Sequence, residues 1–278
     1  MIAVAAAAGL LIGLALGALG GGGSILAVPV LVYLLGESPT AATTGSLVVV
    51  GATSVVGALA ARRADHVRLG RGLAFGLAAV GGSVLGASTA TAVPEDVLMA
   101  LFALLMLAVG ALMVRRLRRH REAGAVGPAP RLDYPILSLR RGFRCDCPRA
   151  AQLLVTATAV GALTGFLGVG GGFVVVPALL LVFDLPMPDA VGTSLVVIAV
   201  TSAVALAVRT GSDVTVDWPP VLALTAVAAV GAVLGGKVAT CVDATRLEGA
   251  FALLVLVVAM FTTVRAVPGV LTHVPGLG

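Results

Sequence analysis

Glycine clusters, and the hydroxyl residues that follow them, are the parts of this chain whose types and spacing suit the binding of a solute. The first cluster runs through Gly20, Gly22 and Gly23 to Ser24; the second comprises Gly168, Gly170, Gly171 and Gly172. A glycine inside a helix costs about 1 kcal/mol relative to alanine and leaves its backbone free to adopt other conformations, so several in a row interrupt a helix. A helix that restarts after such a break presents N–H groups without partners and the positive end of its dipole. Together these attract anions. Thr44 and Ser46, and Thr193 and Ser194, lie near the starts of the next apolar segments. Ser and Thr cap helix N-termini well; the sharper expectation is that these hydroxyls face the breaks and donate to a bound anion. Close helix packing is the competing role for small residues in membranes. It suits Gly82 and Gly86, whereas the clusters have their glycines in a row rather than one turn apart. The chemistry on offer is reversible binding, with no catalytic residue.

The elements that must position these groups are apolar and long. Of 278 residues, 59% are hydrophobic and 11% charged, against roughly 25% charged in ordinary soluble domains. Charge-free stretches run over 1–36, 38–61, 72–94, 97–114, 150–183, 190–208, 218–236 and 249–264. About 20 apolar residues cross a hydrocarbon core of about 30 Å, so six of the eight stretches match one crossing, whereas 1–36 and 150–183 are too long for one. These runs are continuous in Ala, Leu and Val, unlike the alternating strands of a membrane barrel, and helices satisfy their own backbone in lipid. The expected fold class is an all-α polytopic membrane protein of the cell inner (plasma) membrane. Residues 1–19 lack the basic region of a signal peptide and are expected to be retained.

The chain is expected to be a duplication. Shifted by 148 residues, the halves align without a gap from Gly17 to Ser54, with eight of fifteen positions identical over 17–31. Pro29 falls on Pro177, Ala42-Thr-Thr-Gly-Ser-Leu47 on Ala190-Val-Gly-Thr-Ser-Leu195, and Thr53-Ser54 on Thr201-Ser202. Apolar bias matches Leu with Val but does not align two glycine clusters, two prolines and two Thr-Ser pairs at one offset. The reading is two repeats of four hydrophobic segments each, the first segment of each broken at its glycines: eight segments, up to ten helical elements. The boundaries are 1–114 for the first transmembrane repeat, 115–149 for a basic linker and 150–278 for the second repeat. The pieces after the breaks, 25–35 and 173–183, each make about 16 Å of helix, half a membrane. Gly-interrupted segments at corresponding positions of two halves point to a transporter's binding site.

Ten of the 18 basic residues lie between Arg115 and Arg149, and four more are Arg62, Arg63, Arg68 and Arg71. Positive loops stay cytoplasmic, which places both segments inside and explains the arginines without nucleic acid; anionic lipid headgroups suit them as well. Basic loops do not separate two topologies: parallel halves with four crossings each, or inverted halves with five elements each. No Asp, Glu or His lies centrally in an apolar segment, so the proton relays, cation sites and intramembrane catalysis that such groups mark are disfavoured. Lys237, the only lysine, and Arg209 sit near segment ends, either snorkelling to the interface or attracting substrate at a pathway mouth. Cys145 and Cys147, with His120 nearby, fall short of the four ligands of a structural zinc; no metal and no cofactor is expected.

Gly168-Val-Gly-Gly-Gly172, Pro177 and Ala190-Val-Gly-Thr-Ser-Leu195 together resemble the sulfite exporter TauE/SafE family, also called the toluene-sulfonate uptake permease family. The first half departs from the pattern at Gly20-Gly-Gly-Gly-Ser24 and Ala42-Thr-Thr-Gly-Ser-Leu47, which makes any shared site asymmetric. The resemblance covers nearly the whole chain. It implies a membrane transporter, in many cases for sulfite, sulfonates or related organosulfur anions, and points again to the glycine breaks and Thr-Ser pairs. The expected function is transport of a small anion, sulfite or an organosulfonate, in the export direction, by a protein that is not an enzyme. Another small anion or metabolite, or a scaffold subunit that transports nothing, are the alternatives. The expected partners are the anionic substrate and the bilayer, and homo-oligomers are compatible with the reading.

Overall fold

The computed structural model describes residues 2–33, 35–37, 39–64, 66–90, 95–122, 147–167, 172–209 and 217–273. Among them are ten α-helices and no strand: α1 (Ile2–Leu19), α2 (Gly22–Tyr33), α3 (Pro39–Arg63), α4 (Leu69–Ala90), α5 (Glu95–Glu122), α6 (Cys147–Leu167), α7 (Gly172–Val182), α8 (Met187–Arg209), α9 (Trp218–Cys241) and α10 (Ala244–His273). Five, namely α3, α4, α8, α9 and α10, contain windows long and apolar enough to cross a membrane. The bundle leaves large apolar side chains uncovered, among them Leu77, Leu85, Val155, Val208 and Met260, each more than 60% exposed. Water would penalise that surface; lipid does not. The chain is a multi-pass protein of the plasma membrane.

Each over-long apolar stretch holds a pair of helices: α1 and α2 are joined at Gly20 and Gly21, and α6 ends at Leu167 before α7 begins at Gly172. In the first, α2 begins at Gly22, earlier than the expected residue 25, because only Gly20 and Gly21 leave the helix. Gly20 ends α1 in a left-handed conformation (φ 74°), with its N–H still bonded to the Leu16 carbonyl at 2.8 Å. The next helix folds back on the first: a side chain at Gly23 would collide with Ile12 and Leu16 of α1. Gly36 and Asp184 end α2 and α7 in the same left-handed way (φ 72° and 47°), each followed by an N–H bonded six residues back, Glu37 to Leu31 and Leu185 to Leu179.

Close approaches at glycines reveal the helix directions. Gly9, Gly13 and Gly17 of α1 lie against Leu224, Ala228 and Ala232 of α9, so these helices run the same way. Gly82 and Gly86 of α4 lie against Thr158 and Ala162 of α6, also in the same direction. These two glycines do serve close packing, since a methyl group on either would strike the facing carbonyl. By contrast α3 and α8 run in opposite directions, with Gly51 by Ser202 and Gly57 by Leu195. So do α5 and α10, with Gly110 by Leu256 and Gly249 by Leu117. The helices fall into two sets of five, α1–α5 and α6–α10, and the helices matched by the 148-residue offset point in opposite directions. Exchanging the sets maps the α1–α9 contact onto α6–α4, and α3–α9 onto α8–α4.

Arg62, Arg63, Arg68 and Arg116 are at one end of the bundle, and Arg209, which ends α8, is at the other. Arg62 and Arg63 end α3, and Arg68 precedes α4. There His66 Nδ1 lies 3.2 Å from Asp189 Oδ1, and an Arg68 NH2 3.3 Å from Asp189 Oδ2. At the same end the Arg116 Nε of α5 is 3.3 Å from Glu248 Oε1 of α10, and its terminal nitrogen 3.5 Å from Asp184.

Candidate functional site

The two broken segments meet inside the bundle. A side chain at Gly21 would collide with the carbonyl of Gly172, the first residue of α7, and would stand 3.0 Å from the Phe173 Cα. A methyl on Gly172 would in turn stand 3.0 Å from the Ser24 hydroxyl and 2.8 Å from Ile198 of α8. The starts of α2 and α7 therefore converge, each bringing the positive end of a helix dipole; the Ser24 N–H in the first turn of α2 bonds to the Gly21 carbonyl at 3.3 Å. Of the expected site residues, Gly20, Gly22, Gly23, Ser24, Gly172, Thr193 and Ser194 belong to this junction or to the helices that wall it. Gly168, Gly170 and Gly171 lie outside the described residues.

The hydroxyls are buried, and most are engaged with backbone. Ser24 Oγ donates to the Gly21 carbonyl at 2.7 Å, starting α2. Ser194, fully buried, has its Oγ 3.0 Å from the Gly20 carbonyl and 2.8 Å from that of Val191; it ties α8 to the last carbonyl of α1. Thr193 Oγ1 accepts from the Arg68 N–H at 3.3 Å, and Ser46 Oγ donates to the Thr43 carbonyl at 2.8 Å. None of the four later hydroxyls is an N-cap: Thr44 and Ser46 are the sixth and eighth residues of α3, Thr193 and Ser194 the seventh and eighth of α8. Both helices begin earlier than the hydroxyls suggest because Pro39 and the Met187-Pro pair supply their first turns. Ser194 reaches the break; Ser46 bonds within its own helix.

Sequence reasoning treated Thr53 and Ser54 only as markers of the duplication. They are fully buried halfway along α3, and neither hydroxyl has a hydrogen-bond partner. An unpaired buried hydroxyl costs roughly 1–3 kcal/mol. Ser54→Ala and Thr53→Val are therefore expected to leave the melting temperature in detergent unchanged or raised. A drop of several degrees would show that the hydroxyls are paired in the folded protein.

Similarity to known proteins now bears on this geometry. The sequence profile of the family described as sulfite exporter TauE/SafE matches residues 5–262. The chain belongs to that family. Two curated relatives, from Xylella fastidiosa strains 9a5c and Temecula1 / ATCC 700964, are each named "Probable membrane transporter protein" and are 32% identical over 259 residues, 92% of this chain and 92% of their own. No solved structure matches. This TauE/SafE protein is accordingly a membrane transporter, and at Gly21 and Gly172 the starts of α2 and α7, one from each set of helices, stand against each other.

Proposed function

We propose that this chain exports a small anion, sulfite or an organosulfonate, through the junction where the breaks at Gly20–Gly21 and Gly172 meet. The observation that carries the reading is the convergence of two helix N-termini from opposite sets at Gly21 and Gly172. Partial positive charge at both ends favours an anion without a fixed buried cation, and the Ser24 and Ser194 hydroxyls can rotate from their carbonyls to donate to it. The oppositely directed helix sets support an inverted repeat over 1–114 and 150–278, with the basic segment 115–149 in the cytoplasm. Because α10 runs away from the basic end, the C-terminus is then outside, and a C-terminal tag should be reached only from that side. No bond is made or broken in this reading.

Flux of labelled sulfite and of alkanesulfonates into proteoliposomes tests it. Saturable sulfite flux that other oxyanions compete for is the expected result. Folded protein that moves none of the anions tested would overturn it in favour of a scaffold role.

A further inference from the structure

A cleft of about 330 Å³ opens at the basic end of the bundle, between the end of α3, the start of α8, the end of α9 and the flank of α1. Its size is within the roughly 300–1,000 Å³ typical of small-molecule sites. Three nitrogen-bearing side chains line it, Arg63, His66 and Lys237, and no acidic residue does; the remaining lining residues are small, apolar or, in Thr240, a hydroxyl. Lys237 and Arg63 are solvent-exposed, and His66 is 36% exposed on its side chain with Nδ1 turned to Asp189. The cleft also reaches Val191 and Gly17. Val191 is in turn the wall of the first break, its Cα 2.8 Å from where a methyl on Gly20 would stand.

We propose that this cleft is the vestibule through which the transporter collects its substrate: a site for a free oxyanion or sulfonate, drawn from the cytoplasm by Lys237 and Arg63 and delivered past Val191 to the glycine junction. The proposal rests on the anion-transport reading above and adds to it a loading site and a side. A mouth lined by one sign of charge concentrates the opposite ion and speeds its arrival, and salt weakens the effect. These side chains have no counterpart at their repeat-matched positions. At the offset of 149 that pairs Gly82 and Gly86 with Gly231 and Gly235, Lys237 is matched by Ser88; at 148, Arg63 is matched by Gly211 and His66 by Val214. Arg209, which ends α8 at the opposite end, stands two residues before the match of Arg63, so Lys237 is the charge that distinguishes this mouth and biases an inverted repeat toward loading from it. Lipid phosphate would satisfy the same cations, and the experiment separates that source from a dissolved anion.

Full-length protein in phosphatidylcholine vesicles, with sulfite supplied on the basic-end side, is the first arm. Lys237→Gln combined with Arg63→Gln should raise KM about five- to tenfold, with kcat changed less than twofold and the salt dependence of KM lost. An effect that appears only when phosphatidylglycerol is added would assign the cations to lipid and overturn the proposal. The second arm needs no transport. With the native cysteines replaced by Ser, Ala64→Cys should react faster with the anionic sulfonatoethyl methanethiosulfonate than with its cationic trimethylammonium analogue. Sulfite should protect it, and Lys237→Gln should cut the anion-to-cation rate ratio at least fivefold. An unchanged ratio and an unchanged KM in protein that still moves sulfite would overturn the vestibule and leave the function standing. A chain that moves no sulfite but keeps the ratio would do the reverse.

Discussion

Gly21→Leu is expected to reduce anion flux at least 100-fold. Any β-carbon at this position meets Gly172 first: its carbonyl carbon would be 2.7 Å away and the Phe173 Cα 3.0 Å. These are backbone atoms at the start of α7, which cannot swing aside as a side-chain tip can. Leucine also favours helix over glycine by about 1 kcal/mol, and so pulls the break toward a continuous rod. Both effects separate the two helix N-termini, and both act on the junction rather than on the lipid-facing surface. Gly81→Ala in α4 is the matched control, because a methyl there meets nothing within 4 Å; it should keep full flux. Initial rates per folded protein, normalised by a monodisperse size-exclusion peak, are the measurement. A Gly21→Leu protein that retains more than a tenth of the flux would remove the junction as the anion site.

Arg116→Met should cost about 3–5 kcal/mol of stability, the range for stripping the partner from a buried charge. That corresponds to a melting-temperature fall on the order of 10 °C. The Arg116 and Glu248 side chains are only 13% and 11% exposed, while Asp184 is 82% exposed. An exposed partner contributes about 0–1 kcal/mol, so Glu248 decides the outcome and Asp184→Asn should matter little. The Arg116 Nε is 3.3 Å from the carboxylate yet makes no aligned hydrogen bond; charge attraction rather than hydrogen-bond geometry pairs Arg116 with Glu248. Combining Arg116→Met with Glu248→Met should recover most of the loss, because no lone buried charge remains. If the double variant melts as low as the single, packing of the Arg116 stem, not the ion pair, is the cause.

Periodicity, composition and the internal offset made much of this architecture legible. Charge-free runs marked the helices because a bilayer excludes charge over a definite length, and the excess length of 1–36 and 150–183 marked two interrupted segments. The glycines located the interruptions to within three residues, since helix propensity is local. The start of α2 was misjudged because Gly23 packs on Ile12 and Leu16 of α1, a tertiary contact that helix propensity does not register. The capping role of Thr193 and Ser194 gave way to contacts 125 and 174 residues distant in the chain, with Arg68 and Gly20.

By itself, then, the sequence determined the helices, the two breaks and their hydroxyl neighbours, because each follows from local propensity and from what a bilayer tolerates. Only the tertiary structure decided that matched helices run in opposite directions, that Gly21 meets Gly172, that Thr53 and Ser54 are buried unpaired, and that Arg63 and Lys237 share one cleft. Those facts depend on which helix faces lie together, and no interaction between near neighbours in the chain encodes that.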